Sequence, residues 1–294
     1  MMANGAGSGD EAALASAFSH CEQLVREADI DRFLAGLFIP AEKRRYCFAL
    51  YAFSHEIARV RELVSAPLPG ELRFQWWRDA LNDEAARGDV GAHPVAAALL
   101  ATIARFRLPR QAFLDLIDAR LFDLYDDPMG TVADLEGYSG ETSSALLRLA
   151  SLILADGDDA GAADAAGHLG VAQAVTGIIR ALPWHLRRGQ VYVPADILTE
   201  AGMTAAELLA GERTPALARV IAAMRDLAER HYRAGLKGLA QVPANVRPVY
   251  LPAMLVPAYL REFGRRDYDP YRSIVDLPQW RKQWLLWRAA RRLR

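Results

Sequence analysis

Two pairs of aspartates stand four residues apart, Asp79 with Asp83 and Asp123 with Asp127. Side chains at i and i+4 of a helix share a face, so such a pair can offer oxygen ligands to one divalent cation. The same spacing is common on solvated helix faces, which is the simpler reading of both pairs. The histidines are His20, His55, His93, His168, His185 and His231. No two of them have the i, i+4 spacing of a helical zinc site, and no cysteine adds a ligand at zinc-site spacing. GxSxG, P-loop and GxGxxG motifs are absent. Ser139, Ser143 and Ser144 read as turn and small-residue packing positions rather than nucleophiles.

A different constellation closes the sequence. Trp280, Trp284 and Trp287 fall at i, i+4 and i+7, on one helical face, among Arg281, Lys282, Arg288, Arg291, Arg292 and Arg294, and no acid follows Asp276. A cationic helix with an indole stripe suits an anionic membrane surface or a protein partner. The alternative is a stripe packed on the body with its charges solvated.

The elements that position these residues are helical. Tyr46, Leu50, Phe53 and Ile57 repeat at helical spacing, as do Phe113, Ile117, Leu121 and Leu124, and then Leu146, Leu149, Ile153 and Leu154. Pro and Gly clusters punctuate the chain, for example at 157–161 and 264–270. Thr131 followed by Asp134 reads as a helix start. Pro183, inside an apolar helical pattern, predicts a break close by. Only Gln190–Val193 is strand-like. The fold class expected is all-α, as one domain over residues 19–278, between a mobile Gly/Ala/Ser-rich lead-in (1–18) and a basic Trp-rich helix (279–294).

Composition excludes several classes. Of 294 residues 52% are hydrophobic, which excludes a disordered chain, and 35 basic against 36 acidic residues give no electrostatic case for nucleic acid. Two cysteines cannot form a disulfide framework, which fits a reducing compartment. The longest uncharged runs, 90–104 and 165–179, have fifteen residues each. A membrane span needs about 20, so no transmembrane helix is expected. The N-terminal stretch has neither the basic region nor the apolar core of a secretory signal.

Several ordered segments resemble one family. Ile39-Pro40-Ala41-Glu42-Lys43-Arg44, then Ala49-Leu50-Tyr51-Ala52-Phe53, is similar to the opening of squalene and phytoene synthases. Gly170, Ala172, Thr176 and Ile178-Ile179-Arg180 resemble the approach to their second aspartate-rich motif, and Arg187-Arg188-Gly189 with Tyr192-Val193-Pro194 resemble its exit. Trp77-Arg78 and His93-Pro94-Val95 also sit at matching places. The resemblance implies a bundle of α-helices around a central cavity. In those enzymes two DxxxD motifs hold Mg²⁺ ions that grip the diphosphate of a prenyl substrate.

Both motifs depart from that pattern. The first reads Ser54-His55-Glu56-Ile57-Ala58-Arg59-Val60-Arg61-Glu62, with Ala58 in place of the first acid and, among the motif positions, only Glu62 keeping an acid. The second reads Ala181-Leu182-Pro183-Trp184-His185, with both aspartates replaced, by Ala181 and His185. These departures resemble the non-enzymatic branch of the family, the mitochondrial respiratory complex I assembly factor and its bacterial relatives. Glu136-Gly137-Tyr138, Ser143-Ser144 and Val191-Tyr192-Val193-Pro194-Ala195-Asp196-Ile197 match that branch too. The resemblance implies no catalytic residue, metal or cofactor. It implies complex I subunits or assembly intermediates as partners, and a cytoplasmic protein at the inner face of the inner membrane. Arg44, Arg180, Arg187, Arg188 and Tyr192 fall in the family's cavity-lining segments and are candidate lipid or anion contacts; ion pairing and solvation are the alternative. Trp280, Arg281, Lys282, Trp284, Trp287 and Arg288 are candidate membrane or partner contacts. A prenyl-diphosphate transferase or an isoprenoid-binding protein is the competing expectation.

Overall fold

A computed structural model describes residues 5–83, 87–125 and 127–293; for residues 5–8 and 87–89 it describes the backbone alone. Among the described residues every regular element is helical. In chain order these are α1 (Gly5–Ala28), α2 (Ile30–Gly36), α3 (Ala41–Ala58), α4 (Val60–Leu63), α5 (Pro67–Leu81), α6 (Arg87–Ala92), α7 (Pro94–Phe106) and α8 (Arg110–Arg120). They continue as α9 (Val132–Ser139), α10 (Ala145–Leu154), α11 (Ala163–Arg187), α12 (Ala195–Glu200), α13 (Ala205–Ala210), α14 (Pro215–Leu239), α15 (Val256–Phe263) and α16 (Gln279–Arg292). Short 3-10 stretches cover Leu121–Leu124 and Arg247–Leu255, and a π-turn covers Gly140–Ser144.

The chain divides into two compact units, Met1–Leu124 with Leu149–Ala160, and Tyr125–Arg148 with Gly161–Arg294. The length explains this, because single cores stop growing at about 250–300 residues. Residues 1–4 of the expected lead-in lie outside the described residues. Helix α1 starts at Gly5, and Ala17 and Phe18 are buried.

The first unit is built around α3, whose residues Cys47–Ser54 are all buried. The sequence stripe predicted one apolar face, but a helix wrapped by α1, α2, α7 and α8 must be apolar all round. Phe53 meets Trp77 and Phe113 edge-on at 5.0 and 5.6 Å, and Phe48 stacks on Phe33 at 5.7 Å. Lys43 donates from Nζ to the carbonyl of Leu154 and to Asp156, both at 2.7 Å, satisfying the last carbonyl of α10.

The second unit centres on the long pair α11 and α14. Its helix starts follow local rules. Thr131 and Asp134 form the reciprocal cap of α9, as the sequence predicted, and Thr204 with Glu207 repeats it at α13. Two expectations fail here. Helix α11 runs through Pro183 to Arg187 without a break. Pro183 and Leu182 are buried, so packing holds the last turn despite the missing N–H donor. The strand-like 190–193 segment is irregular. Its backbone meets Met129 through one bond, from Met129 N to Val191 O; the next bond to Met129 comes from Ala195 at the start of α12, and Pro194 between them has no N–H to extend a ladder.

Candidate functional site

Neither aspartate pair is a ligand pair. Asp79 accepts a bond from Gln75, while Asp83 lies beyond the end of α5 with φ 61° and pairs with Arg110 at 2.9 Å. Asp123 is buried against Arg120 at 2.9 Å, and its 3-10 turn ends before Asp127. Among the described residues no three His, Cys, Asp or Glu side chains converge as metal ligands.

In the first unit, the segment Ser54–Glu62 is not one helix. Ala58 is the last residue of α3, Arg59 caps it, and Glu62 is exposed on the separate α4. Positions 58 and 62 therefore do not share a helix face as an i, i+4 pair must. His55, half-buried on α3, is held below the usual imidazole range by burial first and by the Arg59 charge second. Glu56, one residue on, reaches His93 Nε2 at 3.3 Å. His93 accepts from the Ala96 N–H through Nδ1 and caps α7, so its proton sits on Nε2, facing Glu56. Trp76 and Trp77 lie against the same imidazole at 5.0 and 5.3 Å. Arg44 donates to the carbonyls of Gly36, Leu37 and Ile39, so its guanidinium finishes the end of α2 rather than facing an anion.

In the second unit, Ala181 and His185 lie on α11 one turn apart. The His185 ring packs on the buried Tyr192 ring at 4.6 Å, and Tyr138 lies 6.0 Å from Tyr192 on another side. An imidazole packed on a phenol stands where the family resemblance places a carboxylate. Arg180 lies over Tyr259 at 5.0 Å, and Arg187 over the exposed Trp184 at 5.2 Å. Arg188 is exposed and ends α11. A Mg²⁺ cluster does not fit either donor set: a methyl at 58, a methyl at 181 and a ring-packed imidazole at 185 offer no oxygen cage.

The tail is decided by its packing. Helix α16 lies on the Arg247–Leu255 turn with Leu286 and Lys282 inward. Lys282 is 1% exposed, its Nζ 2.6 Å from Asp276, which also accepts from the Tyr259 hydroxyl at 3.2 Å. Arg281 pairs with Glu262 at 2.7 Å, and that contact is the first cause holding the Glu262 carboxyl below its usual range. Lys282, expected as a membrane or partner contact, is instead buried, and Arg281, 30% exposed, tethers α16 to Glu262. The indoles point out, with Trp280 70% exposed and Trp284 and Trp287 each 49%. Arg288 and Arg291 lie over Trp284 and Trp287 at 5.2 and 4.9 Å, and Arg292 is exposed beside them. Arg294 lies outside the described residues.

Sequence reasoning missed one cluster in this unit. His168 on α11 and His231 on α14 meet Nδ1 to Nδ1 at 3.0 Å, and His231 Nε2 reaches Glu136 on α9 at 2.9 Å. The signal is invisible to a spacing search, because the residues are 63 and 95 positions apart.

The fold is the all-α isoprenoid synthase architecture. It superposes on the squalene synthase HpnC from Alicyclobacillus acidocaldarius with a TM-score of 0.73 and 26% identity, over 87% of this chain and 96% of that one. Residues 25–288 match the squalene/phytoene synthase family, and the chain belongs to it. Among its relatives, NADH dehydrogenase (ubiquinone) complex I assembly factor 6 of Rattus norvegicus is 32% identical over 85% of this chain and 74% of its own length. A phytoene synthase of Arthrospira platensis is 27% identical over 90% of each chain.

Proposed function

We propose that this chain assists the assembly of respiratory complex I and transfers no prenyl group. The observation that carries this reading is the donor set, with Ala58 and Glu62 on separate helices and Ala181 and His185 where a second acid pair belongs. Ionisation of a prenyl diphosphate depends on metal-borne positive charge, and without an oxygen cage that support is missing. Similarity to assembly factor 6 supplies the positive side. Partners are then complex I subunits or assembly intermediates, met through the protein surface. Deleting the gene should abolish or sharply reduce assembled complex I on a native gel and its NADH oxidation. Complementation by a variant with Ala at Asp79, Asp83 and Asp127 should restore both. The competing reading, a squalene- or phytoene-type transferase, would be favoured by Mg²⁺-dependent diphosphate release from farnesyl or geranylgeranyl diphosphate.

The place of action is the inner face of the inner membrane, reached peripherally through α16. No helix of the described residues is long and apolar enough to cross a membrane. Three outward indoles flanked by Arg288, Arg291 and Arg292 match an anionic headgroup layer, apolar at depth and negative above. Each exposed cation adds about 1 kcal/mol near such a surface, within a Debye length of roughly 8–10 Å. Co-sedimentation with anionic vesicles should weaken with salt. Trp280→Ala with Trp284→Ala should weaken it at every salt concentration, and Arg291→Gln with Arg292→Gln mainly at low salt. Equal vesicle binding by the full chain and a chain lacking residues 279–294 would assign the stripe to a protein partner instead.

A further inference from the structure

The imidazole pair on the second unit is built rather than accidental. Helices α11 and α14 run antiparallel and touch backbone to backbone beside it. A Cβ at Gly235 would stand 2.9 Å from the Leu169 nitrogen, and one at Gly238 2.9 Å from the Ala165 nitrogen. Glycine at both positions lets the helices approach and fixes their register, which sets His168 opposite His231. Helix α9 then brings Glu136 onto the far nitrogen of His231. That carboxylate holds a proton on Nε2 and leaves the Nδ1 lone pair of His231 facing His168. Across the 3.0 Å gap only one proton fits, carried by His168 Nδ1. His231 is 14% exposed and Glu136 40%, while His168 is exposed and can turn.

A carboxylate on the second nitrogen of an imidazole is the arrangement that orients histidine as a metal ligand. We propose that His168 and His231 form a bidentate site for a divalent transition ion, with Glu136 orienting His231 from behind. His168 turns and carries its proton on Nε2 instead of Nδ1, so both imidazoles stay neutral and both Nδ1 lone pairs meet the ion. At metal–nitrogen distances of about 2.0–2.1 Å, a 3.0 Å separation corresponds to an angle of roughly 90° at the metal. That is the cis angle of square-planar or octahedral shells, so Cu²⁺ and Ni²⁺ suit the site better than tetrahedral Zn²⁺. Water completes the shell, since no third ligating side chain converges there among the described residues. Loading needs both imidazoles neutral and therefore weakens at acid pH, where protons compete for the two Nδ1 lone pairs.

The test titrates the full chain with CuCl₂ and NiCl₂, following the melting temperature and, for Cu²⁺, the electron paramagnetic resonance spectrum. Expected are a metal-dependent rise in melting temperature, tighter binding of Cu²⁺ than of Ni²⁺, and hyperfine coupling to two imidazole nitrogens. His168→Gln, at an exposed position that leaves the fold intact, should abolish the two-nitrogen signal and the thermal shift. Glu136→Gln should keep the signal but weaken binding about 10- to 100-fold. If wild type and His168→Gln bind Cu²⁺ alike, or if Glu136→Gln binds as tightly as wild type, the pair is a hydrogen bond between two helices and the proposal is wrong.

Discussion

A methyl group added at Gly170 would stand 2.6 Å from the backbone nitrogen of Ser144 and collide with that residue's Cα and Oγ. Backbone cannot rotate away as a side chain can, so Gly170→Ala should destabilise by about 1–3 kcal/mol. Gly177, two turns along the same helix, would have nothing within 4 Å of an added methyl. There Ala should be neutral or stabilise by up to about 1 kcal/mol through helix propensity. Urea denaturation of the two variants checks the contrast, and equal midpoints would show that the α11 contact with Ser144 is soft. The cysteines give a second test. Burial pushes the thiols of Cys21 and Cys47 up to about 12, leaving almost no thiolate at neutral pH. Native protein should resist iodoacetamide for hours and be labelled at both sites only on unfolding. Rapid native labelling at neutral pH would place a thiol at the surface.

Helix α16 shows how one element can be amphipathic in an unexpected sense. Its anchor is charged and its exposed stripe is aromatic. The stem of Lys282 is buried and its ammonium is held by Asp276, so Lys282→Ala should cost about 1–3 kcal/mol and Lys282→Met less. Replacing Trp280 and Trp284 by Ala should change stability by no more than about 0.5 kcal/mol, because both rings are largely in solvent. Melting curves for the variants rank the two faces. A Trp pair that matters more than Lys282 would mean the stripe packs on protein. The Glu262–Arg281 pair makes docking of α16 pH-dependent. Glu262 has a folded-state pKa below its unfolded value of about 4.3, so its contribution is present above that pH and is lost as pH falls through the folded value. Tryptophan fluorescence should report loosening of α16 at acid pH, and Glu262→Gln should flatten that transition.

At the scale of the whole molecule, the family's helical fold is kept, and the proposal that it carries no prenyl transfer can be tested. Restoring acids by Ala58→Asp, Ala181→Asp and His185→Asp together should not create Mg²⁺-dependent prenyl transfer. In the first unit the chain leaves α3 at Ala58 and re-enters a helix only at Val60, so a carboxylate at 58 and Glu62 still lack a common face. Product analysis with farnesyl diphosphate decides, and appearance of a condensed product would mean that the helix break closes when metal binds. The division into two compact units adds an expectation for unfolding. Each has its own core, so calorimetric and van't Hoff enthalpies should disagree.

Much of this was legible from sequence because it is local. Helix class, the Thr131–Asp134 cap and the buried stripes through Leu50, Phe53 and Ile57 follow from backbone propensity and the 3.6-residue period, which need no distant partner. That Ala58, Ala181 and His185 are not acids is likewise plain in the sequence. Continuity through Pro183 was not, since packing around the last turn of α11 outweighs one missing bond. Periodicity placed the indoles on one face, but only the fold decided that this face is outside, because Asp276 and the Arg247–Leu255 turn claim the opposite side. Arg44 reads in the sequence as a cavity cation, but the fold brings the carbonyls of Gly36, Leu37 and Ile39 within reach of its guanidinium. The His168–His231–Glu136 cluster exists only because three helices meet, and no spacing rule reaches across 63 residues.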